Sequence, residues 1–191
     1  AKTEWYSLYD GEIKPCIGCI REEEPYCKFP CIFEDYGKFL LDKIYEADGI
    51  IFATPVYWFA PSGVIKNLID RMTSLENMVA FGEPSYMEGK VVGVITTCAD
   101  DGASFAGSYL LATLNSMGAI LPPWAMAYSK RTKMPLHDNK ALLDAVNIGL
   151  LIVRTIKRLN GDTSVSILFD DNKTLAEKIR KEVERELKIT K

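Results

Sequence analysis

Four of the five cysteines, Cys16, Cys19, Cys27 and Cys31, fall within one 16-residue window in the pattern C-x2-C-x7-C-x3-C. Four thiolates in one loop can hold a 4Fe-4S cluster or a tetrahedral zinc ion, and the C-x-x-C spacing of the first pair suits both. Spacing alone does not choose between them, and a disulfide or unliganded thiols stay open. The run Glu22-Glu-Glu24 reads as a solvated face that would lower the potential of a nearby cluster. A second chemistry-bearing segment is Thr54-Pro-Val-Tyr-Trp-Phe59, which sets three aromatics directly behind an apolar run. The Pro55 carbonyl and the amides after it are free to meet the polar edge of a planar heterocycle. The same aromatics would equally cover the end of a core or a subunit contact. A third segment, Thr96-Thr-Cys-Ala-Asp-Asp-Gly102, offers hydroxyls and backbone amides.

The remaining candidates read as structural. Cys98 suits a small buried or ring-facing position better than that of a catalytic thiol. Asp100-Asp101 could form a carboxylate pair, yet the small residues around them suit a turn. His137, the only histidine, precedes Asp138-Asn139, a natural helix cap, and has no paired nucleophile. Asp70-Arg71 reads as a local ion pair or cap. No protein side chain is singled out as catalytic.

These segments need elements to position them. Apolar residues from Tyr36 to Ala47 recur at helical spacing and stop at Asp48-Gly49. Ile50-Ile51-Phe52-Ala53 is expected to be a strand buried on both faces and ended by Pro55. Pro61-Ser62-Gly63 introduces a helix through Val64, Ile65, Leu68, Ile69 and Met72, with Lys66, Asn67, Asp70 and Arg71 on its other positions. Lys90 to Thr96 reads as a buried strand, Thr97 to Ala103 as a loop, Phe105 to Met117 as a helix stopped by Gly118, and Ala119 to Leu121 as a further strand. Asn139 to Leu159 is a long apolar-periodic helix closed by Asn160-Gly161. Thr174-Leu-Ala-Glu177 has the form of a capping box before a charged helix with a narrow stripe of Leu175, Ile179, Val183 and Leu187. Its stripe packs on its own domain or docks on a neighbouring subunit. Strands alternating with helices imply an α/β doubly wound open parallel sheet.

At 191 residues the chain is slightly more than one domain of about 150 residues. Its 48% hydrophobic and 26% charged content argues against disorder and against a disulfide-stapled mini-fold. A formal charge of -3 without a basic block argues against nucleic acid. The longest apolar stretches fall short of the roughly 18 residues a membrane span needs, and no export signal is seen, so a cytoplasmic location is expected. The opening, Lys2 to Leu8, reads as a polar and aromatic strand running straight into the cysteines, with neither G-x-G-x-x-G nor G-x-x-x-x-G-K-[ST] in the chain. A doubly wound domain ordinarily starts with a hydrophobic strand and a phosphate loop.

Ile13-Lys-Pro-Cys-Ile-Gly-Cys19, Cys31-Ile-Phe-Glu-Asp35, Glu46-Ala-Asp-Gly-Ile-Ile-Phe52 and Thr54-Pro-Val-Tyr57 through Ile69-Asp-Arg71 follow in that order. Together they resemble the NADPH-dependent FMN reductase family of flavodoxin-like proteins. The cysteines point within it toward the iron-sulfur flavoprotein branch. The resemblance covers residues 3 to 120 and implies FMN at the strand ends. Thr54, Pro55, Val56, Tyr57 and Trp58 would run along the isoalloxazine ring, with Thr97, Cys98, Ala99, Asp100 and Gly102 on its other side. Electrons would pass through the flavin N5, so no protein nucleophile or base is required.

The resemblance further implies NAD(P)H as co-substrate, a small-molecule donor and acceptor, and a homodimer or homotetramer. Cys16, Cys19, Cys27 and Cys31 would ligate a 4Fe-4S cluster, with zinc the less favoured occupant. Two departures stand out. The family's opening strand and its G-S-x-R-type phosphate loop have no counterpart, although Ala1 to Trp5 resembles its second strand. Glu22 stands where the branch's compact cysteine pattern has its third cysteine, leaving Cys27 as the substitute. Residues 1–161, with the cysteine-rich loop 11–34, are then an FMN-binding domain, and 162–191 a C-terminal helical extension. The competing functions are an electron-carrier or redox-sensing module without turnover and a zinc-stabilised scaffold.

Overall fold

The computed structural model describes residues 1–20, 26–130 and 134–188. Glu22-Glu-Glu24 therefore lies outside the described residues.

Helix α1 spans Tyr36–Glu46 and is capped by Asp35, whose carboxylate accepts from the Lys38 N–H at 3.0 Å. Strand β1 (Gly49–Tyr57) turns back into the two-residue β2 (Ala60–Pro61) and leads to α2 (Gly63–Arg71). A short helix, α3 (Thr73–Glu76), and a 3-10 turn (Asn77–Phe81) follow. Then come β3 (Val91–Cys98), α4 (Ala103–Ser116), β4 (Met126–Lys130), α5 (Asn139–Leu159) and α6 (Lys173–Glu186). The sheet order is β2-β1-β3-β4, with β1, β3 and β4 parallel and β2 antiparallel to β1. This is the flavodoxin-like α/β open sheet expected from the alternation of elements.

One sheet face carries Phe52, Val92 and Val94 under Leu40, Leu41, Ile65, Leu68, Leu110 and Leu114 of α1, α2 and α4. The other carries Val91 and Ala127 under Ile148 and Ile152 of α5. Helix α5 sits close because glycines face it. A Cβ at Gly49 would meet Ile152 Cγ2 at 2.6 Å, and one at Gly93 would collide with Ile148 Cγ2.

Several expectations are corrected. Lys2 to Leu8 forms no strand: it has no strand partner among the described residues, and Trp5 is exposed. Ile51 and Tyr57 are exposed, so β1 is buried on one face only; Ile148 and Ile152 of α5 pack on Val91 and Ala127 of β3 and β4. Pro55 does not end β1, because among the described residues no strand lies along the outer edge until Val56 pairs with Pro61, and an edge tolerates the missing N–H. Ala119 to Leu121 contributes a single bridge, Ile120 to Val91, and the true outer strand is β4. The capping box is not formed: α6 begins at Lys173 behind Asn172, which leaves Thr174 inside the first turn. Helix α6 packs on its own chain, through Arg180 Nε to the Leu136 carbonyl and through His137 to Glu184 at 3.1 Å.

Gly93→Ala tests the close seat of α5. The added methyl has no room, so urea unfolding should show a loss of about 1–3 kcal/mol.

Candidate functional site

The parallel register pairs Thr54 with Thr96 and Pro55 with Thr97, so β1 and β3 finish side by side. Both segments singled out in the sequence therefore lie on one edge of the sheet, where open α/β sheets bind ligands. Beyond Tyr57 the chain reverses through Trp58 (φ 51°) and Phe59 (φ 65°). A two-residue hairpin of type I′ needs positive φ at both positions, ordinarily supplied by Asn-Gly. Aromatic residues held there bear strain, of the kind found where a site requires the side chains. Trp58 is 95% exposed. The β3–α4 loop touches this hairpin: Gly102 has φ 93°, and a Cβ on it would lie 2.9 Å from Phe59 Cα. Any other residue at 102 would push the two loops apart.

The candidate cofactor residues divide by face. Pro55, Tyr57, Trp58, Ala99 and Asp100 are exposed at the edge, and Thr97 is half-buried. Val56 and Cys98 are buried together with Ala103 and Ala106. Thr54 is also buried; its hydroxyl donates to the Pro55 carbonyl (2.9 Å), lies 3.0 Å from Ser62 Oγ, and accepts from the Ser62 N–H (3.2 Å). Thr54, Val56 and Cys98 thus shape the edge from beneath. Gly102 is buried at the start of α4, where Thr96 Oγ1 donates to the Ala103 carbonyl at 2.8 Å. Asp101 stands 3.9 Å from Lys130, both exposed, and Asp138 caps α5 as expected.

The cysteine loop lies against α1, α2 and the turns after α2. Gly18 takes φ 62° and donates its N–H to Cys16 Sγ at 3.4 Å. Asn67 donates to the Ile13 carbonyl at 3.3 Å and Asn77 to the Cys27 carbonyl at 2.6 Å. Cys27 is buried; burial, reinforced by the neighbouring Cys19, Cys16 and Cys31 thiols, pushes its pKa up to about 12. The four sulfurs thus act on one another. Yet among the described residues no three His, Cys, Asp or Glu side chains are grouped to hold a metal ion.

Arg71 corrects the sequence reading. It pairs not with Asp70, which binds Lys66, but with Asp35, through Nη1 at 2.8 and 2.6 Å. Both side chains are buried, and the guanidinium lies 5.0 Å above the Phe33 ring. Its Nε and Nη2 have no partner, while the Cys31 sulfur lies beside it. Spare buried donors beside a thiol fit a sulfur-rich anionic group. Asp35 is held below the usual carboxylate range: burial opposes its charge, but Arg71 and the Lys14 and Lys38 N–H groups outweigh it. The sequence did hold a signal for this strip. Asn67, Arg71, Ser74 and Asn77 recur every three or four residues among the apolar residues of α2 and the turns after it.

The pattern of the NADPH-dependent FMN reductase family matches residues 1–132. The chain belongs to that family. An iron-sulfur flavoprotein of Methanocaldococcus jannaschii is 44% identical over 75 residues, which are 39% of this chain and 37% of that protein. The chain's match thus spans little more than a third of that relative. A structure of RosB with bound 8-demethyl-8-formylriboflavin-5'-phosphate aligns at TM-score 0.55 and 21% identity over 79% of this chain and 62% of that one. A flavone reductase aligns at TM-score 0.57 and 19% identity over 84% and 54%. These two show that this FMN reductase family member shares their fold.

Two outcomes are expected. Asp35→Asn should cost about 3–5 kcal/mol at pH 7 by stranding a buried charge. Because the folded pKa is depressed, the ion pair's contribution is present above the unfolded value, near 3.8, and is lost as pH falls through the folded one. The gap to wild type in urea titrations should therefore close on acidification. Trp58→Asn should instead stabilise by about 1 kcal/mol in thermal melts, relieving left-handed strain without losing packing.

Proposed function

We propose that this chain carries the FMN-binding edge of an NAD(P)H-dependent flavin oxidoreductase that moves electrons to a small-molecule acceptor, with a 4Fe-4S cluster on Cys16, Cys19, Cys27 and Cys31. One observation carries the proposal: the strained aromatic hairpin at 57–59 and the loop at 99–102 meet at the ends of two parallel strands. Family membership supports FMN and a nicotinamide donor. The cluster is supported by the four-thiol loop, the spare Arg71 donors and the likeness to an iron-sulfur flavoprotein.

Tyr57 and Trp58 offer flat apolar surface to a ring system, and the backbone of 55–58 and 97–102 offers carbonyls and amides to its polar rim. Thr54, through Ser62, braces the hairpin side of the site, and Gly102, against Phe59, lets the two walls meet. Bound FMN would supply the hydride and one-electron chemistry, so the chain's own work is to orient the ring and exclude water. Association into a homodimer or homotetramer belongs to the same proposal, because a nearly fully exposed Trp58 calls for a covering surface. No described helix is long and apolar enough to cross a membrane; a cytoplasmic setting is proposed with the function.

The test is an anaerobic absorbance spectrum of the purified protein supplied with FMN, with released flavin, iron and zinc quantified on the same sample, before and after NADPH. Bound FMN bleached by NADPH, with about four iron per chain, is the expected result. Flavin retained but never reduced by NADPH would favour an electron-carrier role. Zinc in place of iron, with no flavin held, would overturn the proposal.

A further inference from the structure

The cysteine loop meets a polar strip, and Arg71 is its charged member. Only 1% of Arg71 is exposed. Gly37 leaves room for it, since a Cβ there would lie 2.5 Å from Nη1. Asp35 anchors Nη1, Phe33 lies under the guanidinium plane, and both residues follow closely on Cys31 in the chain. The same carboxylate accepts from the Lys14 N–H at 2.9 Å, two residues before Cys16. One ion pair thus ties the entry of the loop to its exit. A guanidinium has five N–H donors and no acceptor, and here Nε and Nη2 are buried without partners beside the Cys31 sulfur. Asp35 therefore accounts for one edge of the group only. Lys38, near Cys31, and Lys66, near Cys16, also sense these sulfurs, but they are already paired with Glu34 and Asp70 nearer the surface. Solvent screens them.

We propose that Arg71 is the positioning residue of the cysteine loop: clamped by Asp35, it uses its spare Nε and Nη2 donors to hold Cys31 and the anionic cluster the thiolates carry. This rests on the cluster reading given above. A desolvated positive charge beside a negatively charged centre favours its more negative, reduced form. Arg71 therefore raises the cluster's reduction potential as well as its retention. A neutral packing residue would do neither.

The experiment compares wild type, Arg71→Lys and the neutral double variant Asp35→Asn/Arg71→Gln. Each is loaded anaerobically with ferrous iron and sulfide, checked for fold by circular dichroism, titrated by EPR, and challenged with an iron chelator. Arg71→Lys keeps the charge and the Asp35 partner but lacks the planar fork. It should lose iron at least tenfold faster while holding its potential near wild type. The double variant should lose iron at least tenfold faster and show a lower potential, by about 59 mV for each tenfold loss of preference for the reduced form. Should it fail to fold, the rate of iron loss from Arg71→Lys decides. Wild-type potential and retention in folded variants would overturn the role of Arg71 while leaving the cluster reading intact. A wild-type protein that takes up no cluster would overturn both.

Discussion

A guanidinium removed from water must keep a counter-ion within reach, and an acid buried with it must be hydrogen-bonded on its remaining lone pairs. Asp35 meets this demand with four contacts from three donor groups: two from Arg71 Nη1, one from the Lys14 N–H before the cysteines, and one from the Lys38 N–H in the first turn of α1. A single carboxylate is thereby the cap of one helix, the partner of the end of a second, and the clasp of the cysteine loop. The pair joins the start of α1 to the end of α2, the two helices whose Leu40, Leu41 and Leu68 enter the core together with Met72. Replacing the pair with apolar side chains could preserve packing but not the clasp. A buried ion pair is weak evidence of stability in itself, and its spare donors indicate what else it is for.

The strand-end edge depends on a different constraint. Parallel strands must finish in step for two loops to share one site, and the β1–β3 ladder enforces this through seven paired positions, Gly49 with Val91 to Pro55 with Thr97. The hairpin beyond it carries Trp and Phe where the backbone favours Asn and Gly, and its fit against Gly102 resists relaxation. Strain at the tip is compatible with a stable domain because the sheet beneath is held on both sides of β3, by α4 and by α5.

Legibility in the sequence followed the strength of local signals. The helices at 36–46, 63–71 and 139–159 were readable because an apolar period of 3.6 ends in recognisable caps, Asp35 and Asp138 among them. Met126–Lys130 was not, since it is five residues long with two exposed positions and makes sense only against β3. Pro55 misled because a proline in a strand is forbidden by its neighbours, and the sequence does not say that among the described residues no strand lies beside it on one side. Of the site, the two strand-end segments and the cysteines were visible by residue type. Arg71 was not, because a charged residue beside Asp70 at a helix end looks solvated, and its true partner is 36 residues away.

The distribution of perturbed groups separates two kinds of chemistry. At the cysteine loop lie Cys27, displaced by burial and by the neighbouring thiols, and Asp35 and Arg71, whose charged forms favour each other against the cost of burial. Such displacement marks a place where charge is managed. The strand-end edge instead offers aromatic faces, main-chain polar groups and two mutually fitted turns. A site that had to move protons would need a tuned acid or base, whereas one that orients a redox cofactor needs flat walls and fixed distances. Under the proposed function, electron storage would fall where charge is stabilised, and cofactor orientation where the backbone is held rigid.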